Sequence, residues 1–172
     1  MTRRDVSLVL LLLAATQQTA CGPARAPQVA STTQVVQAWL NALGETDASK
    51  LIGATAYPFS YRNTDKIASC GSGSEVSSDG SLEAFAKCMQ KEESLFVKEA
   101  RLARDLKIDV VSRSNVPKAL RTLVADAAPS ETIATTVLNG DGITFVCAFV
   151  LRNSEKDGWR VRLLATDAEF PE

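Results

Sequence analysis

The folded part of the chain opens with apolar residues at helical spacing. They recur every three or four positions and predict one amphipathic helix: Val35, Val36, Trp39, Leu40 and Leu43. Ser31, Thr32 or Thr33 can cap the N-terminus of this helix. Gly44 is expected to end it.

A short helix and a strand are predicted next. Thr46 or Asp47 can cap a helix over residues 47–52. Residues 57–62 then alternate aromatic with small or polar side chains, and Pro58 stands near the start of the run. This alternation predicts a strand, since proline is tolerated at a strand's beginning.

The middle of the chain returns to helical spacing and then alternates again. Asp79 or Ser81 can cap a helix whose apolar residues continue over 82–102. Residues 106–110 alternate as a strand. A further helix is predicted over 115–127, because a proline stands in its first turn and apolar residues follow at helical spacing.

The end of the chain predicts three antiparallel strands joined by tight turns. The strand patterns cover residues 131–138, 143–152 and 159–163. Residues 139–142 read Asn-Gly-Asp-Gly, a strong hairpin signal, and 154–158 turn the chain a second time. Helices followed by such a meander predict an α+β fold with a curved antiparallel sheet packed against N-terminal helices.

The first 20 residues are predicted to be a signal peptide. Arg3 and Arg4 precede an apolar run over residues 6–15, and polar residues follow it. A helix that crosses a membrane needs about 20 apolar residues, roughly twice this run. The paired arginines also allow export by the twin-arginine route, although the usual flanking residues are missing.

The residues after the apolar run resemble a bacterial lipobox. Residues 18–21 read Gln-Thr-Ala-Cys, with small residues before a cysteine, although an aliphatic residue is usual at Gln18. The resemblance implies lipid attachment at Cys21, which becomes the N-terminus after cleavage. The alternative is cleavage by the general signal peptidase at the small residues of 24–26, which lie well past the apolar run.

These signals divide the chain into a signal peptide (1–20), a tether (21–30) and one globular domain (31–172). We expect the lipid to anchor the domain to the cell envelope, facing the periplasm. Gly22 after the cysteine is compatible with the outer membrane, because sorting to the inner membrane usually goes with aspartate there. The alternative is a soluble secreted protein.

Export places the remaining cysteines in an oxidising compartment, where disulfides persist. Cys70 lies in a polar, glycine-rich loop and Cys88 lies on the helix that follows. We predict a disulfide between them, which would pin the loop. Cys147 lies within a continuous apolar strand and is predicted to be a buried free thiol.

Composition excludes several classes of function. The chain is 45% hydrophobic and 23% charged, with a net charge of −1, an isoelectric point near 5.6 and no long basic run. Nucleic-acid binding is therefore not expected. Histidine is absent, which excludes Ser-His-Asp and Cys-His catalysis, and we expect no metal site and no cofactor.

Two short segments resemble the cone-shaped fold of the nuclear transport factor 2-like superfamily. Residues 39–48 (WLNALGETDA) are similar to the first helix and its turn in that superfamily, and 157–161 (DGWRV) to its closing strand. The order of predicted elements over residues 31–170 is similar as well. The resemblance implies a single α+β domain with a cone-like interior.

That superfamily contains enzymes such as ketosteroid isomerase and members that only bind or scaffold, so the fold does not decide the function. An isomerase-like site would need a carboxylate base and a tyrosine in the interior, for which Asp109, Tyr57 and Tyr61 qualify by type. Asp109 is expected to face solvent, however, and the tyrosines to be core or rim residues. Arg160 and Arg162 are expected on a solvated sheet face opposite Val161 and Leu163, with anion binding as the alternative.

No set of residues therefore predicts a catalytic site, and the domain is not expected to be an enzyme. The leading hypothesis is a membrane-anchored binding domain for a small hydrophobic ligand or an envelope protein. The alternatives are a cone-fold isomerase or dehydratase acting on a small hydrophobic substrate, and a structural surface protein of undetermined oligomeric state.

Overall fold

One curved sheet of six strands organises the fold, with the strands in the order β2-β1-β6-β5-β4-β3. The computed structural model describes residues 30–64, 70, 73, 75–140 and 142–169. Its helices and strands are α1 (Thr32–Glu45), α2 (Ala48–Gly53), β1 (Thr55–Asn63), β2 (Glu75–Val76), α3 (Asp79–Glu92), α4 (Ser94–Leu102), β3 (Asp109–Val111), β4 (Thr132–Gly140), β5 (Ile143–Ser154) and β6 (Gly158–Glu169).

The predicted α+β class and the three-stranded meander are confirmed. β4, β5 and β6 pair antiparallel in sequence, and β3 and β2 pair antiparallel at the two edges. β1 pairs with β6 in the parallel direction, which is the one parallel pair among the described strands. Both strands at this junction are therefore central, and each has a neighbour on both sides.

α1 begins as predicted and ends later than predicted. The Ser31 side chain accepts a hydrogen bond from the backbone N–H of Gln34, and the Gln34 side chain accepts one from the Ser31 N–H. Gly44 lies inside the helix, and Thr46 is the left-handed residue at its end. A Cβ at Gly44 would come within 2.5 Å of Arg101 Cα. The lack of a side chain at Gly44 therefore lets α1 and α4 pack closely at this point.

The helical stretch predicted over 82–102 is two helices. Ser78 caps α3, in place of the predicted Asp79 or Ser81. Glu93 has non-helical backbone angles and separates α3 from α4. The break changes the direction of the chain, and Phe96 of α4 packs edge-on against Phe145, with ring centres 5.3 Å apart.

The helix predicted over 115–127 is wrong. Two short 3-10 turns, Arg113–Asn115 and Lys118–Leu120, are followed by further turns. The carbonyl of Leu123 accepts a hydrogen bond from Arg62 Nη1 (2.6 Å), and that of Val116 accepts one from Arg121 Nη2 (3.1 Å). In a continuous α-helix these carbonyls would accept hydrogen bonds from backbone N–H groups. Here they accept them from arginine side chains.

The sheet has a hydrophobic cluster on each face. The larger cluster lies between the sheet and α1, α3 and α4, and its centre is Trp39, whose ring is 5.6 Å from Phe59 and 5.9 Å from Phe149. The smaller cluster lies on the outer face, where residues 116–127 cover it. Its members are Val116, Leu120, Val124, Ala127, Ile133, Ala148, Val150, Leu163 and Ala165.

A bulge in β6 changes which way its side chains point. Leu151 is opposite Val161 and Val150 is opposite Leu163, so Arg162 is an extra residue. Val161 therefore belongs to the helix-facing cluster and Leu163 to the outer cluster. The prediction that Val161 and Leu163 lie on one face is wrong, because it assumed unbroken alternation of side chains along β6 and the bulge interrupts that alternation.

Candidate functional site

The residues considered for an isomerase-like site do not come together. Asp109 pairs with Thr135 and points to the outer face, whereas Tyr61 lies in the helix-facing cluster. Their strands, β3 and β1, are separated by four strand spacings, roughly 19 Å along the sheet. Asp109 is exposed, as expected, and Lys107 Nζ lies 3.4 Å from its Oδ2. Asp109 and Tyr61 therefore do not form a site with a carboxylate base and an oxyanion-binding tyrosine.

Tyr57 forms a local polar contact at the side of the sheet. Its hydroxyl donates a hydrogen bond to Asp79 Oδ1 at 2.8 Å, which ties β1 to the first turn of α3. Burial raises the pKa of Tyr57, and the neighbouring Asp79 carboxylate raises it further. The phenol therefore stays protonated at any physiological pH and acts as a hydrogen-bond donor.

Tyr61 lines a small enclosed space beside the helix-facing core. Burial raises the pKa of Tyr61 to about 12, and its hydroxyl lies 3.3 Å from Thr166 Oγ1. The space measures about 10 Å³, which is the size needed for about one water molecule. The lining residues are Tyr61, Asn63, Glu93, Phe96, Phe145, Thr166 and Ala168.

The two candidate anion-binding arginines are already paired with carboxylates. The Arg162 side chain is only 9% exposed, and its Nε lies 2.7 Å from Glu131 Oε1. The expected solvated position is therefore wrong for Arg162, because the chain segment before β4 covers it. Arg160 is half-buried, with its Nη2 3.4 Å from Asp157 Oδ1.

Glu131 is the centre of an ion-pair network on the outer face. Its side chain is 3% exposed and contacts Arg162 and Arg152. The Ala128 N–H also donates to it at 2.9 Å. Asp126 extends the network, since Arg62 contacts both of its carboxylate oxygens at 2.9 Å. The network fastens residues 126–131 to the sheet.

Burial alone would raise the pKa of Glu131, but the Ala128 N–H and the Arg162 guanidinium outweigh it, so the pKa lies below its usual value. The Arg62 side chain likewise lowers the pKa of Asp126, against a smaller opposing effect of burial. Both carboxylates are therefore ionised at neutral pH. Each of the arginines Arg62, Arg152 and Arg162 contacts one of these two carboxylates, so the network acts as a structural fastening.

The structure joins Cys70 and Cys88 by a disulfide with a Cα–Cα distance of 5.3 Å. The bridge connects the segment after β1 to α3. Cys147 is a free, buried cysteine, and burial raises the pKa of its thiol. Cys21, the predicted lipid-attachment residue, lies outside the described residues, as do the signal peptide and most of the tether.

Reduction of the disulfide is expected to lower the thermal midpoint by several degrees. The two cysteines are 18 positions apart, and closing such a loop stabilises a protein by about 3 kcal/mol in the chain-entropy model. Calorimetry of the oxidised protein and of a Cys70→Ser/Cys88→Ser variant measures the difference. Cys147→Ala is the control for loss of a thiol, and equal midpoints for the oxidised protein and the double variant would contradict the prediction.

β3 forms a short free edge of the sheet with a depression at each end. It pairs only with β4, so among the described residues no strand occupies its other side. Val110 in its middle is 55% exposed. We call β3 together with the two depressions the β3 edge surface.

The two depressions differ in their surroundings. The one after β3 measures about 550 Å³ and is lined by Val110, Val111, Ser112, Arg113, Ala127, Ala128, Pro129, Glu131, Thr132 and Ile133. The one before β3 measures about 440 Å³ and is lined by Asp105, Leu106, Lys107, Asp109, Pro117, Thr135, Thr136, Val137, Asn139 and Val146. Each is lined by both apolar and charged residues.

Sequence reasoning missed both the Glu131 network and the β3 edge surface. A signal for the first was present, because Arg62, Arg152 and Arg162 lie in or beside strands of apolar residues and require carboxylates. The β3 edge surface had no local signal, since it depends on which strand lies at the edge. In the described part of the chain, no cluster of three metal-ligating side chains is present. None of the helices there is long and apolar enough to span a membrane.

No family model and no curated protein matches the chain. Solved structures of similar arrangement include an NTF-2 like protein of unknown function from Silicibacter pomeroyi (14% identity, 80% of this chain and 92% of that one, TM-score 0.44). Others are a cystatin-like fold protein from Burkholderia xenovorans (11%, 81% and 90%, 0.47) and a ketosteroid isomerase-like protein from Erwinia carotovora atroseptica (10%, 86% and 100%, 0.45). At this level of similarity they carry no argument, and the α+β class follows from the strand order and helix packing described above.

Proposed function

We propose that the protein is an exported, lipid-anchored binding module that holds an extended segment of a partner protein along β3. The observation that carries the proposal is the β3 edge surface. It combines a strand that has no second neighbour in the described part of the chain with a depression at each end. The proposal is for binding, without a catalytic step.

Strand addition is the mode of recognition that this geometry suits. An edge strand offers unpaired N–H and C=O groups, which an extended peptide can pair with. β3 has three residues, about 10 Å, so a segment of five or six residues would reach past both of its ends. Its outer side chains would then reach the two depressions, whose linings combine apolar with polar and charged residues.

A small hydrophobic ligand is less well supported by the described residues. The enclosed space beside Tyr61 has room for about one water molecule, far below the roughly 300 Å³ of a typical ligand pocket. Aromatic rings fill the region around it, including Phe96 and Phe145. An isomerase-like enzyme would require this space to open, and the residues expected for its chemistry lie on different faces of the sheet.

The binding proposal is tested by selecting displayed random peptides against the mature protein. Selected peptides should slow hydrogen exchange at those amides of β3 (Asp109–Val111) that point away from β4. Val110→Lys should weaken their binding at least about tenfold, because a charged residue on an edge strand opposes pairing with another strand. Leu95→Lys is the matched control, since Leu95 is equally exposed and lies on α4. Binding that Val110→Lys leaves unchanged would refute the proposal.

The lipid anchor is tested separately, by the mass and N-terminus of the mature protein recovered from membranes. We expect a chain that begins at Cys21 and carries a diacylglyceryl group there. The Cys21→Ser variant should lack this added mass, and Cys147→Ala should retain it. An unmodified N-terminus downstream of Cys21 would exclude the anchor and favour a soluble secreted protein, while leaving the binding proposal intact.

A further inference from the structure

The lining of the depression after β3 includes an exposed cation, Arg113. This residue begins the 3-10 turn that follows β3, and its Nη2 donates a hydrogen bond to the carbonyl of Ala127 in the same lining. Arg113 forms no ion pair with any residue in the described part of the chain. An arginine side chain has five N–H donors in a planar fork, so most of them remain for a carboxylate from another molecule.

Glu131, the other charged residue of this lining, does not neutralise Arg113. The Glu131 side chain is 3% exposed, and its Oε1 lies 2.7 Å from Arg162 Nε. Its Oε2 accepts hydrogen bonds from the Ala128 N–H and from Arg162 Nη2. The network around Glu131 contains three arginines and two carboxylates, so it has one surplus positive charge of its own. The β3 edge surface is therefore cationic at its end after β3.

The depression before β3 has charges of both signs. Asp105 and Asp109 line it together with Lys107, whose Nζ lies 3.4 Å from Asp109 Oδ2. Exposed Arg104 and Lys118 are the sequence neighbours of two further lining positions. An acidic residue of a partner would meet carboxylates as well as cations there. The end after β3 is therefore the one that selects an acidic residue.

We infer that the partner segment along β3 is acidic at one end, an inference that rests on the binding function proposed above. An aspartate or glutamate of the segment forms an ion pair with Arg113 in the depression after β3. Arg113 is two positions beyond Val111, the last residue of β3, and two residues span at most about 7 Å. The acidic residue therefore lies about two positions beyond the residues that pair with β3.

The inference is tested by sequencing the random displayed peptides that bind the mature protein. We expect aspartate and glutamate to be enriched at one end of the aligned peptides, and the enrichment should disappear in a selection against Arg113→Gln. Arg121→Gln is the matched control and should preserve the enrichment. Arg121 is also exposed and also donates to a backbone carbonyl, that of Val116, but it lines neither depression.

A selected glutamate peptide and its glutamine counterpart then give the size of the effect by fluorescence anisotropy. On the parent protein, the glutamate peptide should bind about fivefold more tightly, which is the upper value for an exposed ion pair. The ratio should fall toward one as the salt concentration is raised, because salt screens exposed charges. A structural effect of Arg113→Gln cannot produce this result, since both peptides are compared on the parent protein.

Failure of the inference is distinguishable from failure of the binding function. Peptides that bind at β3 without acidic enrichment, or with the same enrichment against Arg113→Gln, would overturn the inference and leave the binding function intact. A glutamate peptide with no advantage at low salt would overturn it as well. Peptides whose binding Val110→Lys leaves unchanged would refute both, because they do not bind along β3.

Discussion

Trp39→Ala is expected to lower the free energy of unfolding by about 3–5 kcal/mol, the usual cost of deleting a large buried aromatic side chain. Trp39 is fully buried between Phe59 and Phe149, and its indole N–H donates to Thr55 Oγ1 at 2.9 Å. The deletion leaves a cavity among rings that α1, β1 and β5 hold in place. Urea unfolding followed by far-ultraviolet circular dichroism measures the loss.

Trp159→Ala is the matched control for the removal of an indole. Trp159 is only partly buried and packs at the margin of the same cluster, so its loss should cost much less. A further variant, Trp39→Phe, keeps an aromatic ring and removes the hydrogen bond to Thr55, and should fall between the two. Equal losses for Trp39→Ala and Trp159→Ala would show that Trp39 is not the centre of the core.

Glu131→Gln is expected to destabilise the protein by about 3 kcal/mol, because it leaves the buried Arg162 guanidinium without its nearest carboxylate. Asp157→Asn removes the carboxylate of a more exposed pair with Arg160 and should cost less than about 1 kcal/mol. Urea midpoints of the two variants and the parent protein at neutral pH give the comparison. A loss as small as that of Asp157→Asn would contradict the central role of Glu131.

The effect of Glu131→Gln should depend on pH. The pKa of Glu131 is lower in the folded protein than its ordinary value of 4.5, so its stabilising contribution is fully present above that value. It is lost as the pH falls through the lower folded-state pKa. The parent protein and the variant should therefore differ most at neutral pH and approach each other as the pH falls below 4.5. A difference that is constant across this range would exclude the ionised carboxylate as its cause.

Elements that depend on neighbouring residues could be predicted from the sequence. The spacing of Trp39 and Leu43 indicated α1, and the turn at 139–142 indicated the β4–β5 hairpin. These patterns succeed because a helix buries every third or fourth residue and a half-buried strand every second one. They failed in β6, where the bulge at Arg162 adds one residue to the count.

Features that depend on distant parts of the chain could not be predicted. The Leu123 carbonyl binds Arg62, far away in sequence, and this contact accompanies the replacement of a predicted helix by turns. The β3 edge surface exists because β3 is the last strand in the sheet order, which no local pattern encodes. Predicting the candidate site would therefore have required the strand order, whereas the helices and the meander could be predicted from the hydrophobic pattern alone.

The parallel pairing of β1 with β6 also makes the sheet depend on contacts between distant parts of the chain. β6 follows the other described strands in sequence, and it lies between β1 and β5 in the sheet. Without β6 the described strands form two separate parts, β2 with β1 and β5 with β4 and β3, and contacts between such distant parts of a chain form slowly. The two parts therefore become one sheet only when Ser60 in β1 finds Leu163 in β6, so the slowest contacts to form are the ones that make the sheet continuous.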